Sequence, residues 1–319
     1  MSSKATISSV AKCPRCGYDL RGVIPTWTQQ CPLEGTCTEC GLQFNWPEVL
    51  RPDKFEPQWC VEATRGVRPL LWQAASTFVR SFWPWGFWSA LRMSHPSRWG
   101  RIAAYLGLML VLGYVAFAVS HGLLLWGRWY NLSMDPNYSV TTSGWPVFSQ
   151  AALLPLSDQS LGSVRSISGP AWPYYTPFEI ARYLWLDFLL GFAMVLTMHT
   201  CCALTFSVLP VSRRVCKVRW SHIVRMTVYG YALPLPAVVL TTFMVVMNDI
   251  ASPWTVSMGN LAASAWMALL PLEIIWWSVA TSRFLKMPHG WAVGVSVVVV
   301  GFLLPAVAWA IWLATSPLA

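Results

Sequence analysis

Five stretches of this chain are apolar for long enough to cross a lipid bilayer, and this feature constrains the fold more than any other. The first, residues 102–126, contains no Lys, Arg, Asp or Glu and is flanked by Arg101 and Arg128. About 20 apolar residues are enough for one helical crossing. The other four stretches are residues 183–209, 223–247, 257–282 and 291–313. The sequence therefore predicts an all-α polytopic membrane protein with about five transmembrane helices, all within residues 101–319.

The overall composition supports a lipid environment. Hydrophobic residues make up 55% of the chain and charged residues only 11%, whereas soluble domains carry roughly 25% charged residues. The first residues of the chain do not contain an apolar core followed by a cleavage site of small residues, which a secretory signal would need. We therefore expect the N-terminal segment to be retained on the side of the membrane where it is made.

The distribution of basic residues predicts the orientation, because short loops rich in Lys and Arg face the cytoplasm. The loops 210–222 and 283–290 are basic, the loop 248–256 has no basic residue, and the long loop 127–179 has few. Five crossings then give a multi-pass protein of the inner (cytoplasmic) membrane, with the N-terminus cytoplasmic, the C-terminus external and 127–179 as an external loop. The basic residues concerned are Arg213, Arg214, Lys217, Arg219, Arg283 and Lys286.

A Trp-rich segment, residues 67–100, precedes the first crossing and follows a linker, residues 48–66. A helix over 67–82 would place Leu71, Ala75 and Phe78 on one face and Gln73, Thr77 and Arg80 on the other, which is typical of a helix lying on a membrane surface. Pro84 would end this helix, and the tryptophans that follow suit the head-group level. The alternative is a helix packed against the transmembrane bundle.

Two Cys-x-x-Cys motifs within residues 1–47 predict a small N-terminal zinc ribbon. Cys13 and Cys16 form the first motif, Cys37 and Cys40 form the second, and 20 residues separate the two. Four cysteine thiolates at this spacing are typical of a tetrahedral zinc site. A redox pair or two disulfides are the alternative, although thiols in the cytoplasm stay reduced. The additional Cys31 is either a replacement ligand or a buried thiol.

A site closed by four cysteines leaves no position for an activated water, so the zinc is predicted to be structural. The metal would stabilise a segment that is too small to hold a core by itself. The chain also lacks the HExxH, Walker and GxSxG motifs and any paired carboxylates that would indicate catalysis. We therefore predict a protein that is not an enzyme and has no catalytic residues.

The cysteine-rich head resembles the zinc ribbons of a group of membrane proteins from planctomycete bacteria. The likeness is carried by Cys-Pro-Arg-Cys-Gly-Tyr-Asp-Leu-Arg-Gly (13–22) and Cys-Pro-Leu-Glu-Gly-Thr-Cys-Thr-Glu-Cys-Gly (31–41). The rest of the chain is similar to the Yip-type membrane domain through Phe-Trp-Pro-Trp-Gly-Phe-Trp (82–88) and Tyr-Gly-Tyr-Ala-Leu-Pro-Leu-Pro (229–236). This resemblance implies a cytosolic N-terminus, five transmembrane helices and a role in membrane organisation and trafficking without catalytic residues.

Ionisable residues at membrane depth are hypotheses for function, because burying a charge there is costly. Glu273 lies near the middle of the fourth crossing, and we expect it to face the helix bundle in its protonated form with a polar partner near Pro234 and Pro236. Asp187 lies within about a turn of the external end of the second crossing. A further cluster of soft ligand types, attributed mainly to helix packing, comprises Met198, His199, Cys201 and Cys202.

Three functions are compatible with these features. The leading one is a non-enzymatic membrane scaffold whose ribbon engages a cytoplasmic protein partner, anionic lipid or the membrane surface, and whose helices interact with the lipid bilayer or form a homo-oligomer. The alternative is a small transporter or ion-conducting protein that uses Glu273 and Asp187. Nucleic-acid binding by the ribbon is disfavoured, because Asp19, Glu34 and Glu39 offset its few basic residues.

Overall fold

The structure is a computed structural model that describes residues 11–27, 30–63, 67–134, 196–234 and 258–315. Several sequence predictions fall outside these residues. They concern Asp187, Pro236, the loop 248–256, most of the external loop 127–179, and the parts of the second and third crossings at 183–195 and 235–247.

The described residues are mostly helical, with one short hairpin near the N-terminus. The strands are β1 (Glu34–Thr36) and β2 (Gln43–Asn45). The helices are α1 (Trp46–Leu50), α2 (Val67–Ser81), α3 (Pro84–Ala90), α4 (Trp99–Met134), α5 (Leu196–Val208), α6 (Trp220–Gly230), α7 (Met258–Val279) and α8 (Gly290–Thr315). Short 3-10 turns occur at Arg21–Thr26, Pro52–Phe55 and Val61–Ala63, and wider π-helical turns occur at Val211–Val215 and Ala280–Phe284.

The chain divides into two compact units. The first comprises Met1–Gly107, Met198–Ala232 and Leu272–Ala319, and the second comprises Leu108–Thr197 and Leu233–Pro271. All the contacts described below lie within the first unit. That unit contains the cysteine-rich head, α1, α2 and α3.

An antiparallel hairpin and a small aromatic core organise the cysteine-rich head. β1 pairs with β2, and Gly35 faces Phe44 across the ladder. A side chain at Gly35 would collide with Trp46, because a Cβ there would lie 2.7 Å from the indole nitrogen. Trp27 and Phe44 each pack edge-on against Trp46, with ring centroids 4.8 and 5.1 Å away. The hairpin and this core hold the second Cys-x-x-Cys motif, which lies in the turn between the two strands.

Helix α2 begins at Val67, as the sequence predicts, and ends at Ser81, one residue before the predicted Phe82. Two residues of its polar face, Gln73 and Thr77, are buried, whereas Arg80 on the same face is exposed. Thr77 is fully buried, and its hydroxyl accepts a hydrogen bond from the Val61 amide at 2.9 Å. The Gln73 side chain is also buried and donates to the Gln58 carbonyl. Three apolar residues are instead between 60% and 65% exposed, namely Leu71, Trp72 and Val79. A helix of a soluble protein would have the opposite arrangement.

Two helices of the described residues are long and apolar enough to cross a membrane. These are the stretches Trp99–Ala116 of α4 and Gly290–Ala308 of α8, and only 22% of each is buried. A core helix of a soluble protein would be mostly buried, so the low value favours an apolar environment. The described residues thus contain two such helices, not five, together with the shorter apolar helix α5. The count of five crossings stays a prediction.

Glycines allow the last helix to approach its neighbours closely. A Cβ at Gly294 would lie 2.4 Å from the Ser278 Cα atom of α7, and one at Gly301 would lie 2.7 Å from the Cys202 sulfur of α5. Small residues at such contacts are typical of helix packing in membranes, where backbones come together for dispersion and hydrogen bonding. The contact between α7 and α8 is also polar, because the Ser278 hydroxyl donates to the Trp291 carbonyl at 3.4 Å. In the π-helical turn that follows α7, the Thr281 hydroxyl donates to the Gly290 carbonyl at 2.6 Å.

Candidate metal centre

Both Cys-x-x-Cys motifs fold into the same tight turn. In the first turn the Gly17 amide donates to the Cys13 carbonyl at 2.9 Å, and in the second the Gly41 amide donates to the Cys37 carbonyl at the same distance. Gly17 and Gly41 have φ angles of +79° and +65°. Only glycine takes this left-handed conformation at no steric cost, so the glycine that follows each motif is explained by the turn.

The two turns bring the four predicted ligands together. All four sulfur atoms lie within 4.8 Å of one another, with Cys13 3.6 Å from Cys40 and Cys16 3.7 Å from Cys37. Sulfurs around a tetrahedral zinc with bonds of about 2.3 Å would be about 3.8 Å apart. Within the described part of the chain, this is the one group of three or more His, Cys, Asp or Glu side chains arranged to hold an ion. The cysteines are unbridged thiols, as metal ligands must be.

Burial raises the pKa of two of these thiols, and hydrogen bonds lower the pKa of a third. Burial raises the pKa of Cys13 well above its usual range and raises that of Cys40 to about 11. At Cys37 burial also acts upward, but hydrogen bonds from the backbone at Cys40 and Glu39 outweigh it and the pKa is lowered. A cation among the four sulfurs would stabilise the thiolates directly. The donor set therefore fits a metal such as zinc, and its four closed positions fit a structural role.

Cys31 does not join the cluster. It is exposed, and its thiol donates to the Pro32 carbonyl at 3.4 Å. Both expectations for this residue, a replacement ligand and a buried thiol, are therefore wrong. The second turn begins only at Cys37, within the hairpin, and this leaves Cys31 on the preceding exposed segment.

Arg15, in the middle of the first Cys-x-x-Cys turn, joins the head to the loop between α7 and α8. Its side chain is only 4% exposed. Nε donates to the Leu285 carbonyl at 3.1 Å and Nη2 to the Lys286 carbonyl at 2.7 Å. Nη1 donates to the carbonyl of the ligand residue Cys40 at 3.2 Å. One guanidinium thus connects both cysteine turns to a loop about 270 residues further along the chain.

The loop between α5 and α6, together with the first turn of α6, also contacts this cysteine turn. His222 donates from Nε2 to the Pro14 carbonyl at 2.7 Å, and the Arg219 amide donates to the Arg15 carbonyl at 3.3 Å. An exposed ion pair also joins Lys217 to Glu39 in the second cysteine turn. The head is therefore docked on two loops, and both are loops that the sequence predicts to be cytoplasmic.

These two loops have the same local structure, which the sequence analysis missed. Each begins with a π-helical turn, closed by the Cys216 amide on the Val211 carbonyl at 2.9 Å and by the Leu285 amide on the Ala280 carbonyl at 3.0 Å. A lysine follows with positive φ, +50° at Lys217 and +49° at Lys286. The signal in the sequence is weak, an Arg-x-x-Lys spacing at 214–217 and 283–286.

Glu273 lies in the interior of the first unit, as predicted, with partners that the sequence did not indicate. It is 2% exposed, and its carboxyl group lies 2.7 Å from Nδ1 of His199 and accepts from the Trp277 indole at 3.0 Å. The partner is thus a polar side chain on the neighbouring helix α5, which is one of the two expected kinds of partner. The contacts found for the Glu273 carboxyl group do not involve Pro234, and Pro236 lies outside the described residues. A residue with a Cβ at 230 would collide with the imidazole, so Gly230 makes room for it.

The hydrogen bonds of His199 fix its tautomer. Nε2 lies 2.9 Å from the Thr227 carbonyl, which can only accept, so Nε2 carries a hydrogen. The short contact between Nδ1 and Glu273 then holds one shared proton, and the pair has no net charge whichever atom carries it. The imidazole therefore interacts with Glu273 and Thr227. The neighbouring Met198 and Cys202 are buried packing residues.

A second buried network involves Glu62, which lies in the segment expected to be a linker. Its carboxylate accepts from Arg225 at 2.9 and 2.7 Å and from the Tyr229 hydroxyl at 2.5 Å. Arg225 also donates to the His95 carbonyl at 3.0 Å. Sequence reasoning missed this network, because Glu62 lies among prolines and short turns without a helical period.

Comparisons with protein-family models, with curated proteins and with solved structures find no match to this chain.

Proposed function

We propose that this protein is a non-enzymatic integral membrane scaffold whose zinc ribbon fastens its cytoplasmic loops together. The observation that carries the proposal is Arg15, whose single buried side chain bonds to the second cysteine turn and to the carbonyls of Leu285 and Lys286. A metal bound by the four cysteines would fix both turns and so would hold Arg15 in place. The ribbon then holds the cytoplasmic loops together within the chain and also presents a surface to a partner or to lipid.

Membrane insertion is supported by the apolar surface. Large apolar side chains cover α4 and α8 on their outer faces, and α2 presents Leu71, Trp72 and Val79 outward while Gln73 and Thr77 are buried. Water would penalise such a surface, whereas a bilayer and its interface would favour it. We therefore propose that α2 and α3 lie on the membrane surface and that five helices cross the inner membrane.

The proposed orientation has the N-terminus in the cytoplasm and the C-terminus outside. Contacts between the cysteine-rich head and both basic loops support it, because the charge rule places those loops and the head on the same side. Reporter fusions test it: a reporter after Arg214 should be cytoplasmic and one at Ala319 should be external. The same side for both would contradict five crossings.

A role in membrane organisation, similar to that of Yip-type domains, follows from the resemblance of residues 82–88 and 229–236. A scaffold of this kind should copurify from native membranes with a stable partner or as a homo-oligomer, and it should resist extraction with alkaline carbonate. Release by carbonate, or a strictly monomeric and partner-free protein in mild detergent, would overturn the proposal.

The second candidate function is a proton-coupled transporter, and the pair of His199 and Glu273 favours it. A buried imidazole and carboxyl group that share one proton at membrane depth are a typical element of proton relays. Flux measurements in reconstituted vesicles separate the two functions. A transporter should show flux that depends on pH and is abolished in the Glu273→Gln variant, whereas a scaffold should show none.

A further inference from the structure

A cleft lies where the cysteine-rich head meets the end of α3 and the loop after α7. Its volume is about 180 Å³. Trp88 and Phe284, both almost fully buried, form part of its apolar wall. Its polar lining includes Asn45, Glu48, Ser89, Arg92, Ser94, Arg283 and Lys286. The cleft is separate from the four metal ligands.

The charges around this cleft are not balanced. Arg92 is paired with Glu48, and the two neutralise each other. Arg283 and Lys286 are exposed, and within the described ranges neither has an acidic partner. Lys286 uses its backbone carbonyl to accept from Arg15, so its ammonium group remains available. The cleft is therefore lined by two basic side chains that have no acidic partner within the described ranges.

Two buried donors in the same cleft also lack partners among the described residues. The Ser94 hydroxyl and the Trp88 indole N–H are both shielded from solvent without a hydrogen bond, although both residues line the cleft. Buried polar atoms are rarely left unpaired in folded proteins, because each costs about 1–3 kcal/mol. A ligand that accepts hydrogen bonds and carries negative charge would complement these two donors and the two cations.

We propose that this cleft binds the phosphate-containing head group of an anionic phospholipid. Arginine and lysine are the residues that proteins use for phosphate. The exposed Trp83 and Trp85 lie at the start of α3, whose later residues Trp88 and Ser89 line the cleft, and exposed tryptophans suit the head-group level of a membrane. The volume lies below the roughly 300 Å³ of typical small-molecule pockets, so the cleft holds a head group while the acyl chains stay outside. The head group of a zwitterionic lipid would place a further positive charge beside Arg283 and Lys286, and such a lipid should therefore bind more weakly.

This inference rests on the proposed membrane location and names the lipid that the protein recognises there. The test uses the full-length, metal-loaded protein in detergent with three probes, namely dioctanoyl phosphatidylglycerol, dioctanoyl phosphatidylcholine and inorganic phosphate. Bound probe is counted by native mass spectrometry. The wild-type protein should bind the phosphatidylglycerol at least about tenfold more tightly than the phosphatidylcholine, because each cation near a membrane surface contributes about 1 kcal/mol, or about fivefold.

Substitutions inside and outside the cleft test whether the lipid binds there. The double variant Arg283→Gln/Lys286→Gln should bind phosphatidylglycerol about 25-fold more weakly. The matched control Arg51→Gln/Lys54→Gln removes the same charge from exposed residues that do not line the cleft, and its affinity should stay within about twofold. Glu48→Gln should strengthen binding several-fold, because it frees Arg92 for the phosphate.

Three results would overturn the inference. They are equal affinity for the two lipids, an equal loss in the double variant and its control, or inorganic phosphate that binds as tightly as the lipid and displaces it. Carbonate extraction of the same protein is scored separately. A protein that is released by carbonate but still selects phosphatidylglycerol refutes the membrane scaffold and retains the cleft, whereas a retained protein without selectivity refutes only the cleft.

Discussion

Arg225 and Glu62 form a buried ion pair joined at two points, with Nε 2.9 Å from Oε1 and Nη2 2.7 Å from Oε2. Arg225 is 1% exposed and Glu62 is 6% exposed. Each buried charge is stabilised by the other, so the ion pair holds the segment before α2 against helix α6.

Removal of one member of this pair should be strongly destabilising. Arg225→Met leaves the Glu62 carboxylate buried without its main counter-charge, and we expect a loss of about 3–5 kcal/mol. The double variant Glu62→Leu/Arg225→Met should lose much less. Thermal unfolding in detergent measures both, and Asp19→Asn, which breaks an exposed pair, should change little. Glu62→Leu is the second single variant, and a double variant as unstable as the sum of the two single variants would contradict this account.

Removal of the metal should loosen the two loops as well as the head. Treatment with a chelator, or the change of Cys37 and Cys40 to Ser, should eliminate one bound zinc per chain. It should also increase amide exchange in residues 210–222 and 283–289, because Arg15 and Pro14 would lose their fixed positions. Hydrogen exchange with mass spectrometry reports both effects. Unchanged amide exchange in the two loops would show that the ribbon does not hold them in place.

Substitution of Arg15 by Lys should separate docking from metal binding. Lysine keeps the charge but cannot reach the carbonyls of Cys40, Leu285 and Lys286 together. We expect a full complement of zinc and a loss of about 3 kcal/mol in stability. Arg21→Lys is the control, because Arg21 is exposed and interacts only locally, with Asp19. A loss of zinc in the Arg15 variant would mean that docking and coordination cannot be separated.

Substitution of Glu273 by Gln should preserve the fold, because the amide can still accept from Trp277 and can donate to His199. Its stability should stay within about 1 kcal/mol of the wild type. Glu273→Leu should cost about 2–6 kcal/mol, since it leaves two buried polar groups unpaired at about 1–3 kcal/mol each. Unfolding temperatures of the two variants provide the comparison, and equal losses would rule out a hydrogen-bonding role for the carboxyl group.

Acidification should destabilise the protein partly through His95. Burial, reinforced by the nearby Arg225, lowers the pKa of His95 from its ordinary 6.5 to about 4. Between these values the unfolded chain binds a proton that the folded chain does not, so stability falls as the pH drops from 6.5 toward 4. His95→Gln should flatten the stability curve in that window. An unchanged slope in the His95 variant would contradict the depressed pKa.

The parts of the fold that the sequence predicts are those with a local signal. Long uncharged runs predict α4 and α8, and the Cys-x-x-Cys spacing predicts the cluster of four sulfurs. The role of Arg15 has no such signal, because its partners at Leu285 and Lys286 are backbone carbonyls, which every residue possesses. The pairing of His199 with Glu273 was missed for a related reason. Each residue was recognised separately, but a bond across 74 positions depends on how two helices pack.

The bonds of Arg15 also set an order of assembly during synthesis. Its last partner, the Lys286 carbonyl, is made 271 residues later. At about 5–20 residues per second the ribosome needs roughly 15–55 s to cover this distance. The head can bind its metal early, but Arg15 waits for nearly the whole chain before its hydrogen bonds are complete. Closure of this contact therefore requires synthesis at least as far as Lys286, and a chain that stops before that residue would leave the Arg15 guanidinium without two of its carbonyl partners.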